Sequence, residues 1–297
     1  TKNNYEVYFK KEEYMSSKIF IIGARSNLSN KLYDTIDNSV LISSNEIQSN
    51  NNFLLKYAHI KGMYFIVNAF FPAIKLNDIS KPLEYIQSSV YLLANLLQNI
   101  KDIKNKYNVK IIKIIYTSSA SVYGNNSNCS ENDHPMPLNL HSSLKISSEF
   151  LLSRFCKEED INYTIARIFN MYGGNDNFSV IFKIVHAVKN NEPISLINDG
   201  KALRDFININ DVVVSYQKLL HSNQYDIVNI ANGKAVSINE RLQYLIDKNI
   251  KINTINSNRD EINISIANVD RLSHIVNIDK FLSIFAFLDK EIIKSYK

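Results

Sequence analysis

"KIFIIGARSNLSNKLYDTI", residues 18–36, is the stretch whose reading decides the fold of this chain. "KIFIIG" (18–23) is a short run of β-branched and aromatic residues that stops at a glycine. Such a run predicts a strand buried on both faces and closed by a turn. "NLSNKLYDTI" (27–36) then shifts to helical spacing. Strand, glycine turn and helix together open a βαβ unit.

The rhythm repeats downstream. "SVLIS" (39–43) and "MYFIVNAFF" (63–71) read as strands, residues 83–106 as the longest helix, and "VKIIKIIYTSS" (109–119) as a strand that ends in a serine-rich loop. Residues 139–157 predict another helix and "NYTIARI" (162–168) another strand. This alternation predicts an α/β fold: a Rossmann-type, doubly wound parallel sheet. Beyond about residue 170 the elements become shorter: a helix near 178–190, a strand at 193–197, a helix near 211–221, a strand near 226–230 and a helix near 237–247. They predict a smaller C-terminal α/β substrate lobe. The expected organisation is a flexible arm over 1–17, a dinucleotide-binding domain over 18–170 and a substrate lobe over 171–297, with the lobes intertwined.

Composition narrows the class. Of 297 residues, 45% are apolar and 21% charged, which is ordinary for a globular chain. The net charge of +5 is dispersed, so no nucleic-acid partner is expected. It suits an anionic small molecule. Cys129 and Cys156 have no metal-ligand spacing. They read as free thiols of a reducing, cytoplasmic setting, and no metal site is expected. No apolar run reaches membrane-spanning length, so no membrane partner is expected.

The turn "GARSNLS" (23–29) stands where a G-x-x-G-x-x-G loop would present backbone amides to a pyrophosphate. Only Gly23 remains; Ser26 and Ser29 fill the other two places. The turn can equally be read as a plain one capped by Ser26 or Asn27. "YTSSASVYG" (116–124) places hydroxyls at the end of a central strand, where open α/β sheets bind ligands. "HSSLKISSEF" (141–150) sets His141 and Lys145 four residues apart, with Glu149 one turn on. On a helix these share a face, either a solvated stripe or an imidazole held beside an ammonium.

Read in order, the motifs resemble the extended short-chain dehydrogenase/reductase family that acts on nucleotide sugars, the NAD-dependent epimerase/dehydratase family. The likeness runs from about Lys18 to about Asp270. It is carried by "IFIIGARSNLS", "FIVNAFF" (65–71), "SSVYLLANLL" (88–97), "SSASVYG", the span Glu131–Glu149, "RIFNMYGG" (167–174) and "GKALRDFININDVV" (200–213), with "VNIANG" (228–233) and "NRDEINISIAN" (258–268) after them. The resemblance implies cofactor contacts from Gly23, Arg25, Ser26, Asn27, Leu28, Ser43, Ser44, Asn68, Ala69, Phe70 and Lys145. It implies substrate contacts from Ser119, Asn170, Arg204 and Arg259. It also implies a homodimer whose two long helices meet their mates in a four-helix bundle.

The chain departs from the family at the acid/base. The family's motif has a tyrosine four residues before the lysine; here His141 stands there, with Ser119 and Lys145 retained. A free imidazole titrates near ~6.5 and a phenol near ~10, and the neighbouring ammonium disfavours the imidazolium. Three readings stay open: His141 replaces the tyrosine, Tyr123 or a water carries the proton, or the redox function is lost. Ser43 and Ser44 close the second strand without the carboxylate that favours NAD(H). Arg25 is placed to pair with a 2′-phosphate, as in the GDP-fucose-forming branch of the family, so NADP(H) is favoured over NAD(H). The expected activity is an NADP(H)-dependent ketoreduction of a nucleotide-linked sugar in a deoxysugar or surface-polysaccharide pathway. The alternatives are an epimerase or dehydratase of nucleotide sugars, and a degenerate, non-catalytic binder of dinucleotides or nucleotide sugars.

Overall fold

A computed structural model describes residues 17–50, 52–68 and 80–293. The expected arm over 1–16, and Ala69 and Phe70, lie outside the described residues. Ser17, counted with the arm from the sequence, instead opens the first strand.

In chain order the first elements are β1 (Ser17–Ile22), α1 (Asn27–Tyr33), β2 (Ser39–Ile42), α2 (Ser44–Ser49) and β3 (Gly62–Val67). Next come α3 (Pro82–Ile86), a π-helical segment (Gln87–Tyr91), α4 (Leu92–Tyr107), β4 (Lys110–Ser119), α5 (Leu140–Glu158) and β5 (Asn162–Ile168). The later elements are β6 (Asn170–Tyr172), α6 (Val180–Asn190), β7 (Ile194–Ile197), β8 (Leu203–Asn208), α7 (Ile209–Leu219), β9 (Ile227–Ile230) and β10 (Ala235–Ser237). They close with α8 (Ile238–Asp247), β11 (Thr254–Ser257), β12 (Ile264–Ser265), α9 (Asp270–Ser273) and α10 (Ile284–Glu291).

The main sheet has six strands in the order β2-β1-β3-β4-β5-β9. The pairs β1–β2, β1–β3 and β3–β4 are parallel. The apolar runs read from the sequence are its central strands: every residue of β3 is buried, as are five of the six in β1. Continuous burial is what helices on both faces of a parallel sheet impose. A second sheet centres on β8, which pairs with β6, β10 and β12. Among the described residues no helix is long and apolar enough to cross a membrane. Cys129 and Cys156 are free and buried.

Local chemistry sets the boundaries. Asn139 and Ser142 form a reciprocal capping box that starts α5. Asn108, in the left-handed region, ends α4. Gly124 lies at φ +65°, and a Cβ there would meet the Met136 carbonyl at 2.3 Å, so only glycine can close the "SSASVYG" segment.

The chain forms two compact units that interleave along the sequence. One comprises Thr1–Ser118, Asn139–Ala166 and Leu219–Asp226; the other Ser119–Leu138, Arg167–Lys218 and Ile227–Lys297. The sequence reading put an approximate boundary near 170 between intertwined lobes; these units cross from one to the other several times along the chain. The reason lies in the bonding of the excursion after β4. There the Cys129 amide donates to the Ile266 carbonyl, and the Glu131 carboxylate accepts from the Asn229 amide, all within the second unit.

Candidate functional site

Strand β1 ends in the turn at Gly23, whose φ of +111° suits glycine alone. Its amide donates to the Ile42 carbonyl, which fixes the turn against β2. Ser26 caps α1 with its hydroxyl toward the Ser29 amide. Asn68, at the end of β3, donates to both the Ser26 and Ser29 hydroxyls at 2.7 and 3.0 Å. Asn30 donates to the Ala24 and Ser26 carbonyls. The two serines that replace glycines are thus tied inward by asparagine side chains, and Ser29 is fully buried. The hydroxyls do not bulk the outer face, so the turn still fits a dinucleotide's diphosphate. Leu28 is a core residue, and Asn27 begins the helix. Arg25 is exposed on the turn. Ser43 is committed to capping α2, accepting from the Glu46 amide at 3.1 Å, with Ser44 the first helical residue.

Strand β4 and helix α5 bring the next group together. His141, Lys145 and Glu149 follow one another by single turns on α5. Lys145 is buried, and its Nζ donates to the Thr117 carbonyl at 2.7 Å. The same Nζ stands 5.0 Å from the centre of the Tyr116 ring. Ser118 donates to a Glu149 carboxylate oxygen. The opening alternative of a solvated stripe is excluded for Lys145 and Glu149: they are 6% and 5% exposed.

Electrostatics follow from this burial. Desolvation, and then the Lys145 charge, push His141 down to about 4. Desolvation brings Lys145 down to about 7, opposed by the Glu149 charge. At neutral pH the ring is neutral and the ammonium is the group poised to exchange a proton. The stability consequence has a definite sign. The unfolded chain binds a proton on the imidazole near 6.5, the folded chain only near 4. Between these values the unfolded state holds more protons, so this contribution is present above 6.5 and lost as pH falls through 4. Stability from urea unfolding should therefore fall over that window by about 3 kcal/mol from this group. His141→Phe should flatten the drop; an unchanged slope in that variant would contradict it.

The remaining expected residues sit in the second unit. Ser119 accepts from the Ser121 amide at 3.2 Å. Tyr123, read as an alternative proton carrier, is a core residue there. Its hydroxyl donates to Asn229 at 2.7 Å, Arg167 lies 4.8 Å from the centre of its ring, and burial pushes its phenol up. Asn170 donates to the Asp205 carbonyl. Arg204 is turned to Glu261 at 3.3 Å, rather than to its neighbour Asp205. Arg259 is exposed, and its loop is clasped by Asn198, which bonds both its amide and its carbonyl. Among the described residues no cluster of metal-ligating side chains occurs.

Sequence reasoning missed the anchors Thr117 and Ser118, for Lys145 and Glu149, and Glu261, for Arg204. It named Asn68 as a cofactor contact but not its bonds to the two turn serines. A 720 Å³ cavity in the first unit, lined by Tyr64, Lys104, Lys110, Asp160, His221 and Asn223, lies at the amino-terminal ends of β4 and β5 and takes in none of these residues.

Known proteins resemble this chain in sequence and in fold. The model of the NAD dependent epimerase/dehydratase family matches residues 48–231. A UDP-glucuronate 4-epimerase from Thermodesulfobacterium geofontis is 27% identical over 215 residues, 70% of this chain and 64% of that protein. A dTDP-4-dehydro-6-deoxyglucose reductase from Escherichia coli is 27% identical over 212 residues, 69% of this chain and 64% of that protein. The match thus spans a little under two thirds of the length of these relatives. The UDP-glucuronic acid 4-epimerase structure from Bacillus cereus, in complex with UDP-glucuronic acid and NAD, superposes with a TM-score of 0.75 at 21% identity, covering 94% of this chain and all of that one. That likeness shows the fold.

Proposed function

This chain belongs to the NAD dependent epimerase/dehydratase family, and from that membership we propose that it is an NADP(H)-dependent ketoreductase of a nucleotide-linked sugar. The observation that carries the reading is the buried Lys145 ammonium on the Thr117 carbonyl, one turn from His141. The dinucleotide, when bound, supplies a hydride to the carbonyl carbon. The chain's part is the proton. Hydride addition leaves an alkoxide, and Lys145 Nζ holds the proton that it needs near neutrality, passed on through the neutral imidazole of His141. Ser119 orients the sugar oxygen, and Asn170, Arg204 and Arg259 take the nucleotide's phosphates and sugar. Gly23, Ser26, Asn27, Leu28 and Asn68 hold the dinucleotide. The reductase from Escherichia coli supports the reaction. The epimerase from Thermodesulfobacterium geofontis, equally identical, supports a second reading in which the same groups move the proton both ways on a nucleotide sugar. A thermal-shift screen of NADP(H), NAD(H) and UDP-, GDP-, CDP- and dTDP-linked sugars tests the binding that both readings need. No shift with any pair of ligands would overturn them. A shift without turnover would favour a non-catalytic binder.

The preference for NADP(H) rests on Arg25, exposed on the turn, and on the absence of a carboxylate at Ser43 and Ser44. Arg25→Ala should cost NADP(H) binding about 1.5–3 kcal/mol, the worth of a charge-assisted hydrogen bond, and leave NAD(H) binding unchanged. Equal affinity of the unaltered protein for both dinucleotides, measured by calorimetry, would contradict the assignment.

A homodimer is part of the same reading. Leu83, Ile86 and Tyr91, before α4, and Phe150 on α5 expose 65%, 45%, 55% and 68% of their surface. Large apolar side chains exposed on neighbouring helices mark a protein interface. Two such helices paired with their mates make an isologous four-helix contact. Phe150→Asp should convert a dimer at micromolar concentration into a monomer by light scattering; a monomeric unaltered protein would remove the claim.

A further inference from the structure

Lys145 is held by two successive residues of β4, one directly and one through a relay. Thr117 accepts from its Nζ through the backbone carbonyl. Ser118, the next residue, donates to the carboxylate of Glu149, one turn along α5. Ser118 and Glu149 are 3% and 5% exposed. A buried ammonium on a neutral carbonyl alone is poorly compensated, because desolvation favours its neutral form. The Glu149 carboxylate, one turn along α5, supplies the opposite charge, and the strand fixes both side chains. Among the described residues, the groups that face Lys145 include His141 and Glu149 on its own helix and Tyr116 on β4. The lysines of α4 that reach α5, Lys101 and Lys104, are held at its far end by Glu159.

We propose that Glu149, fixed by the Ser118 hydroxyl, is a positioning residue that keeps Lys145 an ammonium on the Thr117 carbonyl and so supplies the site with its proton. The proposal rests on the reading of Lys145 given above. Glu149 touches no reacting atom in it; it acts through the lysine. The Glu149 charge is also what opposes the desolvation of Lys145. Ser118 thereby gains a purpose distinct from that of Ser119: it belongs to the support of the lysine rather than to the sugar.

The test is a lysine titration of the full-length, ligand-free chain by NMR with ¹³Cε-labelled lysine, Lys145 being assigned by its loss in Lys145→Arg. Glu149→Gln should lower the Lys145 midpoint by about one unit or more, the usual effect of an adjacent opposite charge. Ser118→Ala should move it the same way by less. An unchanged midpoint in a folded Glu149→Gln protein overturns the proposal. If that variant does not fold, an unchanged midpoint in Ser118→Ala overturns it. Turnover supplies the second readout: the alkaline limb of the rate profile should move down together with the NMR midpoint. A moved midpoint in a protein that turns over no nucleotide sugar would leave the link between Glu149 and Lys145 standing and bring down the ketoreductase reading instead.

Discussion

His141→Ala is expected to lower turnover of a nucleotide-linked sugar by about 10²–10⁴-fold, the usual worth of a positioned acid/base group. Binding of the sugar should be retained, because the ring contributes no charge at neutral pH: burial and Lys145 hold it down to about 4. Lys145→Ala should lose turnover as well and weaken dinucleotide binding with it. The unaltered enzyme should show a bell-shaped rate profile. On the acid side His141 must be neutral, which sets a limb near 4; on the alkaline side Lys145 must keep its proton, which sets a limb near 7. A tyrosine in the place of His141 would add a group titrating near ~10. Normal turnover in His141→Ala would make the ring a bystander. The proton would then have to come from Tyr123, whose hydroxyl donates to Asn229, or from water.

Asp205→Ala is expected to destabilise the fold by roughly 3–5 kcal/mol, by orphaning buried backbone donors. Asp205 is fully buried, and its carboxylate accepts from the amides of Asn232, Gly233 and Ala267. Three segments of the second unit meet on this one side chain. Burial pushes its carboxyl up to about 7 against those three amides, which pull it down. Asp205→Asn should be little better than alanine, because an amide offers one acceptor oxygen where two are used and turns an N–H toward a donor. Urea unfolding measures the loss. A change below about 1 kcal/mol would show that water can replace the carboxylate at these amides.

The sequence was most legible where burial is two-sided. β1 and β3 lie close to where unbroken apolar runs placed them, since no other element buries such a run on both faces. Helix α5 was legible from its spacing, and its first residue follows from the Asn139–Ser142 box. The long helix was only partly legible: apolar spacing over 83–106 does not distinguish an α-helix from one interrupted by a π segment at Gln87–Tyr91. Where the chain crosses between the units was not legible, because the crossings depend on long-range bonds such as Cys129 to Ile266. Side-chain commitments were the least accessible. Ser43 reads as a cofactor contact, but the nearest unpaired amide is that of Glu46, three residues on. Arg204 reads as a phosphate ligand beside Asp205; its side chain instead meets Glu261, 57 residues away in the chain. For Arg204 to take a phosphate it must exchange that carboxylate for it, a swap of one anion for another on a half-buried guanidinium.

Turnover of the full-length chain with NADPH and a nucleotide-linked 4-keto sugar, followed by loss of NADPH absorbance across pH, tests the central claim most directly. The account predicts turnover with limbs near 4 and 7, strongly lowered in His141→Ala and Lys145→Ala. Binding of both ligands without turnover at any pH, or a profile governed by a group titrating near that of a tyrosine, would contradict it.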